Sequence, residues 1–435
     1  MTHEIAPPTT ASSVIECDVT PPDRLRRFFT GERFRVEYDV DVSDVPPSIS
    51  VIPALAQVCP VAWANGADVS VPVVDARFLR ALEEVRDALV EMYPAFMEGG
   101  EIRAEKVVDT RRERDPASFE GEGLLFSGGV DSVASYVRTR DADPTLVSVQ
   151  GWVIGDDQDE RWENVRGQIA RFADEHGVED RYVRSNMLSF LDTRMLQAHY
   201  QRYVDGAWYS SVGHGLGLLG LTAPLAYKLG LGTVHMAATH TEEFAEPWGS
   251  HPKIDNRVRW GHTECHHDGY ELSRQEKLEL IADYVRSEDV DLTLRTCTES
   301  DAGANCNECE KCYRTMCGLL LAGLDPNDFG YETSPETFEA IRSGFERGAF
   351  TMGADERFMW RDVQGHIDLD QAFPVAGATE FFRWLSTADV DSFVADSNPP
   401  VHHDVLQALA RNVPYPVYAA LAPVYEKGAA KASGN

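Results

Sequence analysis

Lysine is nearly missing from this chain. Of its 40 Lys and Arg residues only seven are Lys; Asp and Glu number 71, and the formal net charge is −31. A field of that sign excludes nonspecific binding of nucleic acid or anionic lipid through overall charge, although a local basic groove stays open. Such a surface suits a salt-rich cytoplasm, where screening over a few ångströms quiets self-repulsion; an ordinary acidic protein is the other reading. Long apolar runs are also missing, so no transmembrane helix is expected. The opening MTHEIAPPTTASSVIECD lacks a basic stretch followed by an apolar one, and a secretory signal is not expected. There is no GxxxxGK[ST], which excludes the Walker loop, and no GxGxxG to support a dinucleotide fold. There is no internal repeat.

What remains is a chain of 435 residues, 43% hydrophobic, too long for one average core and suited to two or three domains. Residues 1–20 are polar and Pro/Thr-rich and read as a loose tail. Residues 21–115 read as a small α/β unit. Its strands are RFRVEYDV, VSVPVV and EIRAEKVV; its helices are a buried one over 50–66 and an amphipathic one over 76–93. A charged, breaker-rich linker follows at 111–123. Over 116–325, apolar strands (123–127, 145–154, 181–185, 233–239 and LTLRT at 292–296) alternate with helices near 130–139, 158–177, 213–229, 272–286 and 307–323. That alternation predicts a doubly wound, mostly parallel α/β sheet with ligands beyond the carboxyl ends of its strands. Residues 326–435 read as mainly helical, including VLQALARNV and PVYAALAPVYEK, with a frayed end.

Two stretches carry chemistry. In the first, GLLFSGGVDSVASYVR, a strand runs into Ser127-Gly128-Gly129-Val130-Asp131-Ser132 and then a helix. The glycines let backbone N–H groups approach an anion, the helix start adds open donors, and Ser127 and Ser132 add hydroxyls. Asp131 would repel bare phosphate and makes sense if Mg²⁺ stands between them. The plain alternative is a Ser/Gly turn capping a helix. The second stretch holds Cys297, Cys306, Cys309 and Cys312, spaced C-x₈-C-x₂-C-x₂-C. Four thiolates this close can surround one Zn²⁺ with no open position, a structural site. An iron–sulfur cluster and metal-free buried cysteines are the rivals. The clustering, without an export signal, points to a reducing cytoplasm rather than a disulfide framework. Cys317 reads as a core cysteine.

FSGGVDS resembles the loop of the PP-loop ATP pyrophosphatase superfamily. With the cysteine spacing, and Arg314 just after the last cysteine, residues 122–325 resemble the 7-cyano-7-deazaguanine synthase branch. The resemblance implies an adenine-nucleotide α-hydrolase-like fold and a ligase that transfers AMP to a carboxylate or amide oxygen. A nitrogen nucleophile, ammonia among the options, then displaces AMP. It implies ATP, Mg²⁺ and Zn²⁺ as cofactors, residues 127–132 on pyrophosphate and Mg²⁺, and catalytic roles for Asp131, Lys277 and Arg314. By analogy with such folds, Gln150 and Gly151 would contact adenine. Lys277 is expected to neutralise the α-phosphate; pairing with Glu on an exposed helix is its plain alternative, and Arg274 begins the same helix. A homodimer is implied by the family alone. Partners are expected to be ATP and a small molecule, not a membrane or nucleic acid. The terminal additions leave open another substrate, conjugation of a deazapurine to a macromolecule, tRNA modification, or a regulator that binds ATP or AMP without turnover.

Weaker candidates follow. The stretch 243–277 reads as a loop over the sheet edge, with Trp248, Ser250, His251 and Lys253 as substrate contacts or ordinary loop residues. His262, Cys265, His266 and His267 are a second conceivable metal group, but adjacent histidines point apart, and Cys265 reads as a loop thiol. Asn186 and His214, at strand–helix junctions, read as caps or core polar groups.

Overall fold

The computed structural model describes residues 1–244, 246–350, 352–392, 408, 410–413, 417 and 418. Twelve strands share one sheet: β1 (Thr2–Ile5), β2 (Thr9–Ala11), β3 (Val14–Thr20), β4 (Arg33–Tyr38), β5 (Asp68–Asp75), β6 (Ile102–Val108), β7 (Gly121–Leu125), β8 (Thr145–Gln150), β9 (Asp180–Ser185), β10 (Leu231–Ala237), β11 (Arg259–Trp260) and β12 (Thr263–Asp268). Their order is β11-β12-β10-β7-β8-β9-β4-β3-β1-β5-β6, with β2 paired to β3. The block β12-β10-β7-β8-β9 is parallel throughout. The chain enters this block at β7, winds outward through β8 and β9, then returns to the other side of β7 for β10 and β12. Its direction reverses between β7 and β10, which opens a crevice beyond their carboxyl ends.

Helices cover both faces, which is why β7 and β8 each carry adjacent apolar residues, Leu124-Leu125 and Leu146-Val147, that point to opposite sides. Leu124 and Leu146 pack in one cluster with residues of the helices Val130–Thr139, Asp159–His176 and Arg274–Glu288. Leu125 and Val147 point the other way, into a cluster with the helices Ile52–Trp63 and His214–Leu229. Ile52–Trp63 is buried on every side, consistent with its all-round apolar sequence. It lies so close to His214–Leu229 that a Cβ on Gly220 would sit 2.4 Å from the Ala56 Cβ.

Three sequence expectations change. Residues 1–20 are not a loose tail: β1, β2 and β3 lie within them, and Ile15, Cys17 and Val19 alternate into the core. The unit expected at 21–115 has its strands but not its own sheet, because β4 pairs antiparallel with β9, Val36 opposite Ser185. LTLRT forms no strand. The fifth parallel strand is β12, inside the stretch read as a loop, and there Cys265 is a buried strand residue. The inward residues of β12 are Thr263, Cys265 and His267, so its period of two is hidden by polarity. The C-terminal region holds the helices Pro335–Glu346, Ala354–Gly365 and Ala378–Leu385. VLQALARNV falls partly and PVYAALAPVYEK largely outside the described residues, and the end expected to fray falls wholly outside them.

Candidate active site at the sheet reversal

The loop after β7 is built as its sequence suggests. Gly128 has φ +74°, where a Cβ would be strained. The Ser132 hydroxyl accepts from the Ser127 N–H at 3.3 Å and donates to the Gly129 carbonyl at 3.1 Å, closing the turn. The helix Val130–Thr139 begins at Gly129 with no side-chain cap, so its first-turn N–H groups keep no capping partner. Asp131, in that first turn, reaches across to the helix Arg274–Glu288. Its carboxylate lies 2.9 Å from Arg274 and 3.5 Å from Lys277.

That pairing corrects two expectations. Asp131 faces two cations, which balance its charge without an ion. Lys277, 2% exposed, also donates to the Ala238 carbonyl just past β10. It sits behind Asp131, and Arg274 is the member of the pair that lines the crevice. Burial pulls the Lys277 ammonium below its ordinary value, and Asp131 opposes that pull.

The crevice is a cleft of about 450 Å³. The loop residues Ser127, Gly129, Val130, Asp131 and Ser132 form one wall, and Val149 near the end of β8 with Trp152 and Ile154 beyond it form a second. Thr239 and Trp248 beyond β10, with His214, form a third, and Arg295, Lys311 and Arg314 arrive from the cysteine segment. Asp355, Glu356 and Met359 close it from the helix Ala354–Gly365. Arg295 is the main addition to the sequence reading. Its backbone N–H donates to the Gly128 carbonyl at 2.8 Å and its guanidinium to the Ser127 carbonyl at 2.9 Å. Among the described residues no carboxylate pairs with it. Burial, then the nearby Arg161, pulls its guanidinium below the usual value.

Other expected residues separate. Gln150 and Gly151 do not line the cleft: the Gln150 amide turns to the Gly155 carbonyl at 3.1 Å, and a Cβ on Gly151 would meet the Ser185 carbonyl. Arg314 lines the cleft, buried, with Glu310 at 2.7 Å neutralising it. Of the four substrate candidates only Trp248 reaches the cleft. Ser250 donates to the buried Asp255 at 2.6 Å, His251 accepts from the Lys253 N–H, and Lys253 pairs with Glu91 at the surface. Asn186 ties β9 to β4 through the Arg35 N–H and the Arg33 carbonyl. The histidines near 262–267 diverge. His262 meets the Arg111 and Arg114 carbonyls, and His267 the Asp255 carboxylate at 2.7 Å.

The four cysteines do converge. Their sulfurs lie within 4.8 Å of one another, a group that could hold a metal ion. Asn305 braces the segment: its carbonyl oxygen accepts from the Thr296 and Cys297 N–H groups and its amide donates to the Leu294 and Gly330 carbonyls. The helix Asp159–His176 grips the other side, where Arg161, Asn164 and Gln168 donate to the carbonyls of Thr298, Ala302 and Gly303. Hydrogen bonding with Cys312 lowers the Cys309 thiol, while Cys306 and Cys312 are raised within the same cluster. Cys317 is fully buried, a core residue as expected.

No protein-family model, curated protein or solved structure matches this chain. The site therefore rests on its own geometry. Sequence reasoning missed Arg295, hidden inside a supposed strand, and the pair Asp355 and Glu356, in a region with no motif. For Arg295 the available signal was a lone Arg just ahead of the first cysteine. For Asp355 and Glu356 there was none beyond an acidic start to a helix.

Proposed function

We propose that the cleft binds ATP and catalyses adenylation of a carboxylate or amide oxygen with release of pyrophosphate, after which a nitrogen nucleophile displaces AMP. This is the chemistry of the PP-loop enzymes that the loop resembles, on an adenine-nucleotide α-hydrolase-like fold. The observation that carries the reading is the unneutralised Arg295 guanidinium bonded to the loop beside an uncapped helix start. A half-buried cation without a carboxylate is costly unless an anion visits, and the loop N–H groups aim at the same place. Arg295 and residues 127–132 hold the β- and γ-phosphates, Lys311 adds a cation without an ion pair among the described residues, and adenine lies against Trp152 and Ile154. Asp131 acts as a positioning residue that fixes Arg274. Catalysis comes from alignment and charge neutralisation, with no covalent protein intermediate.

The cysteine group is a structural zinc site in this reading. Tetrahedral zinc with bonds near 2.3 Å spaces its sulfurs about 3.8 Å apart, and Cys306–Cys312 and Cys297–Cys309 both stand at 3.9 Å. The ion would join Cys297 to the start of the helix Glu310–Leu321, and so fix Arg295 and Arg314 on either side of it. Free thiols at all eight cysteines suit a reducing cytoplasm.

The test is incubation of the protein in high KCl with ATP, Mg²⁺, 7-carboxy-7-deazaguanine and ammonium, following AMP, pyrophosphate and nitrile by mass spectrometry. AMP and nitrile together support the deazaguanine substrate. AMP formed only with cell extract keeps adenylation and discards that substrate. ATP bound with no AMP under either condition overturns catalysis in favour of a nucleotide-binding regulator. Arg295→Ala should weaken ATP binding roughly 10- to 100-fold.

A further inference from the structure

The helix Ala354–Gly365 brings carboxylates to the cleft. Among the described residues most charged groups lining or flanking the cleft are paired, Arg295 and Lys311 being cations that are not. Glu310 neutralises Arg314 at 2.7 Å, Asp131 takes Arg274 and Lys277, and His240 meets Asp355 at 2.9 Å. Glu356 is left over. It lines the cleft half-buried, accepts one backbone N–H from Gly353 at 2.8 Å, and has no cationic partner. Two further polar groups there are unsatisfied. His214 is 5% exposed and lines the cleft with no partner for Nδ1, and Trp248 lines it with no partner for its indole N–H. Leu218, Met236 and Met359 supply apolar walls. Both unpartnered atoms are closed off from the open space of the cleft, so it is the His214 and Trp248 rings that wall it.

We propose that the cleft, where this helix lines it, binds a protonated primary amine carrying an apolar or flat substituent, the nitrogen nucleophile of the reaction, and that Glu356 is its counter-charge and proton acceptor. The inference rests on the adenylating reading and names its second substrate class. A carboxylate with no cation of its own selects an ammonium over a neutral or anionic isostere, and the apolar walls select a substituted amine over ammonia. Glu356 takes one proton from the ammonium. The freed nitrogen lone pair forms the C–N bond at the carbonyl carbon of the acyl adenylate. The C–O bond to AMP then breaks with its electron pair leaving on AMP, and the second nitrogen proton passes to solvent. Glu356 then passes its proton to solvent, so the sum is carboxylate, ammonium and ATP giving amide, AMP, pyrophosphate and two protons, with nothing oxidised or reduced. Burial first, then Asp355, pushes the Glu356 carboxyl above its ordinary value, which suits a proton acceptor. The other charged groups near it are Glu310 and Arg314.

The experiment uses the full chain and three probes of one shape: benzylamine, benzyl alcohol and benzoate, read by tryptophan fluorescence. The expected result is at least a roughly 10-fold preference for benzylamine over each of the others, reduced to about 2-fold or less in Glu356→Gln and partly restored in Glu356→Asp. Thermal unfolding of each variant separates lost recognition from lost folding. Equal affinity for benzylamine and benzyl alcohol, or a preference that survives Glu356→Gln, overturns the proposal. Arg295→Ala keeps the two readings apart: it should weaken ATP and leave the amine preference. No ATP binding with the amine preference intact sinks adenylation alone; ATP binding without amine preference sinks this inference alone.

Discussion

The two halves of the sheet each bury a histidine with an unpartnered ring nitrogen, and the resemblance ends there. His3, on β1, is fully buried with neither nitrogen bonded, and its ring lies 5.5 Å from Phe29 within an apolar cluster. His214, at the start of its helix, has its ring 4.0 Å from Trp152 and lines the cleft. Burial drives both down, His3 to about 4 and His214 to about 3. An unsatisfied buried atom is thus not by itself the sign of a site. It becomes one where open space and uncompensated charge lie beside it, as Arg295 and Glu356 do in the cleft half. In the N-terminal half the comparable groups are paired. Asp75, fully buried, accepts from the N–H groups of Arg77, Phe78, Thr110 and Gly261.

The contrast can be broken in a graded way. The largest effect should follow Cys309→Ser or exhaustive chelation. Loss of a structural metal should cost several kcal/mol and release the braces on Arg295, with hydrogen-exchange protection falling over 159–176 and 297–312. Protection surviving over β1–β5 would show that the halves separate energetically; parallel loss there would show one cooperative unit. Next is Asp131→Asn, which leaves Lys277 and Arg274 without a carboxylate. About 3 kcal/mol should be lost in urea unfolding, most of it regained in Asp131→Asn with Lys277→Met. An acid effect of similar size belongs to His3. Above pH 6.5 it is neutral in both states; below that the unfolded chain takes a proton that the folded chain refuses. Stability should therefore fall as pH drops from 6.5 to about 4, by on the order of 3 kcal/mol. His3→Leu should remove that part of the acid loss and raise stability at pH 7 by about 1–2 kcal/mol, with ATP affinity unchanged. If His3→Leu alters ATP binding, the two histidines are not the different cases drawn above. The smallest effect is Gly128→Ala, about 1 kcal/mol of strain at a left-handed position, detectable as a lowered Tm.

How much of this was legible in the sequence depended on how locally each feature is encoded. The loop after β7 was readable because two glycines, two serines and a helix start fall in one run. The cysteine group was readable because tight spacing alone limits where four sulfurs can go. The strands β7, β8 and β10 showed through adjacent apolar residues because both faces are covered. β12 did not, since its inward Thr263, Cys265 and His267 are satisfied by distant partners: Thr263 by the Leu231 carbonyl and His267 by Asp255. Arg295 and Glu356 come to line the cleft only through long-range packing. Locally there is only a lone Arg ahead of the first cysteine and an acidic start to a helix, and the cleft is assembled from segments hundreds of residues apart. The same holds for Lys277. Its helix was found, but its side chain faces Asp131 rather than the crevice, a difference set by how two helices cross.

The antiparallel seam between β4 and β9 also orders events in time. A growing chain makes β4 early and β9 only after the loop that follows β7, so until then the hydrogen-bonding edge of β4 stands open. Its natural occupant is a strand that is not yet synthesised. The nascent N-terminal half is therefore obliged to wait, or to be shielded, and Arg33, Arg35 and Glu37, charged residues along that waiting edge, make it a poor template for another chain.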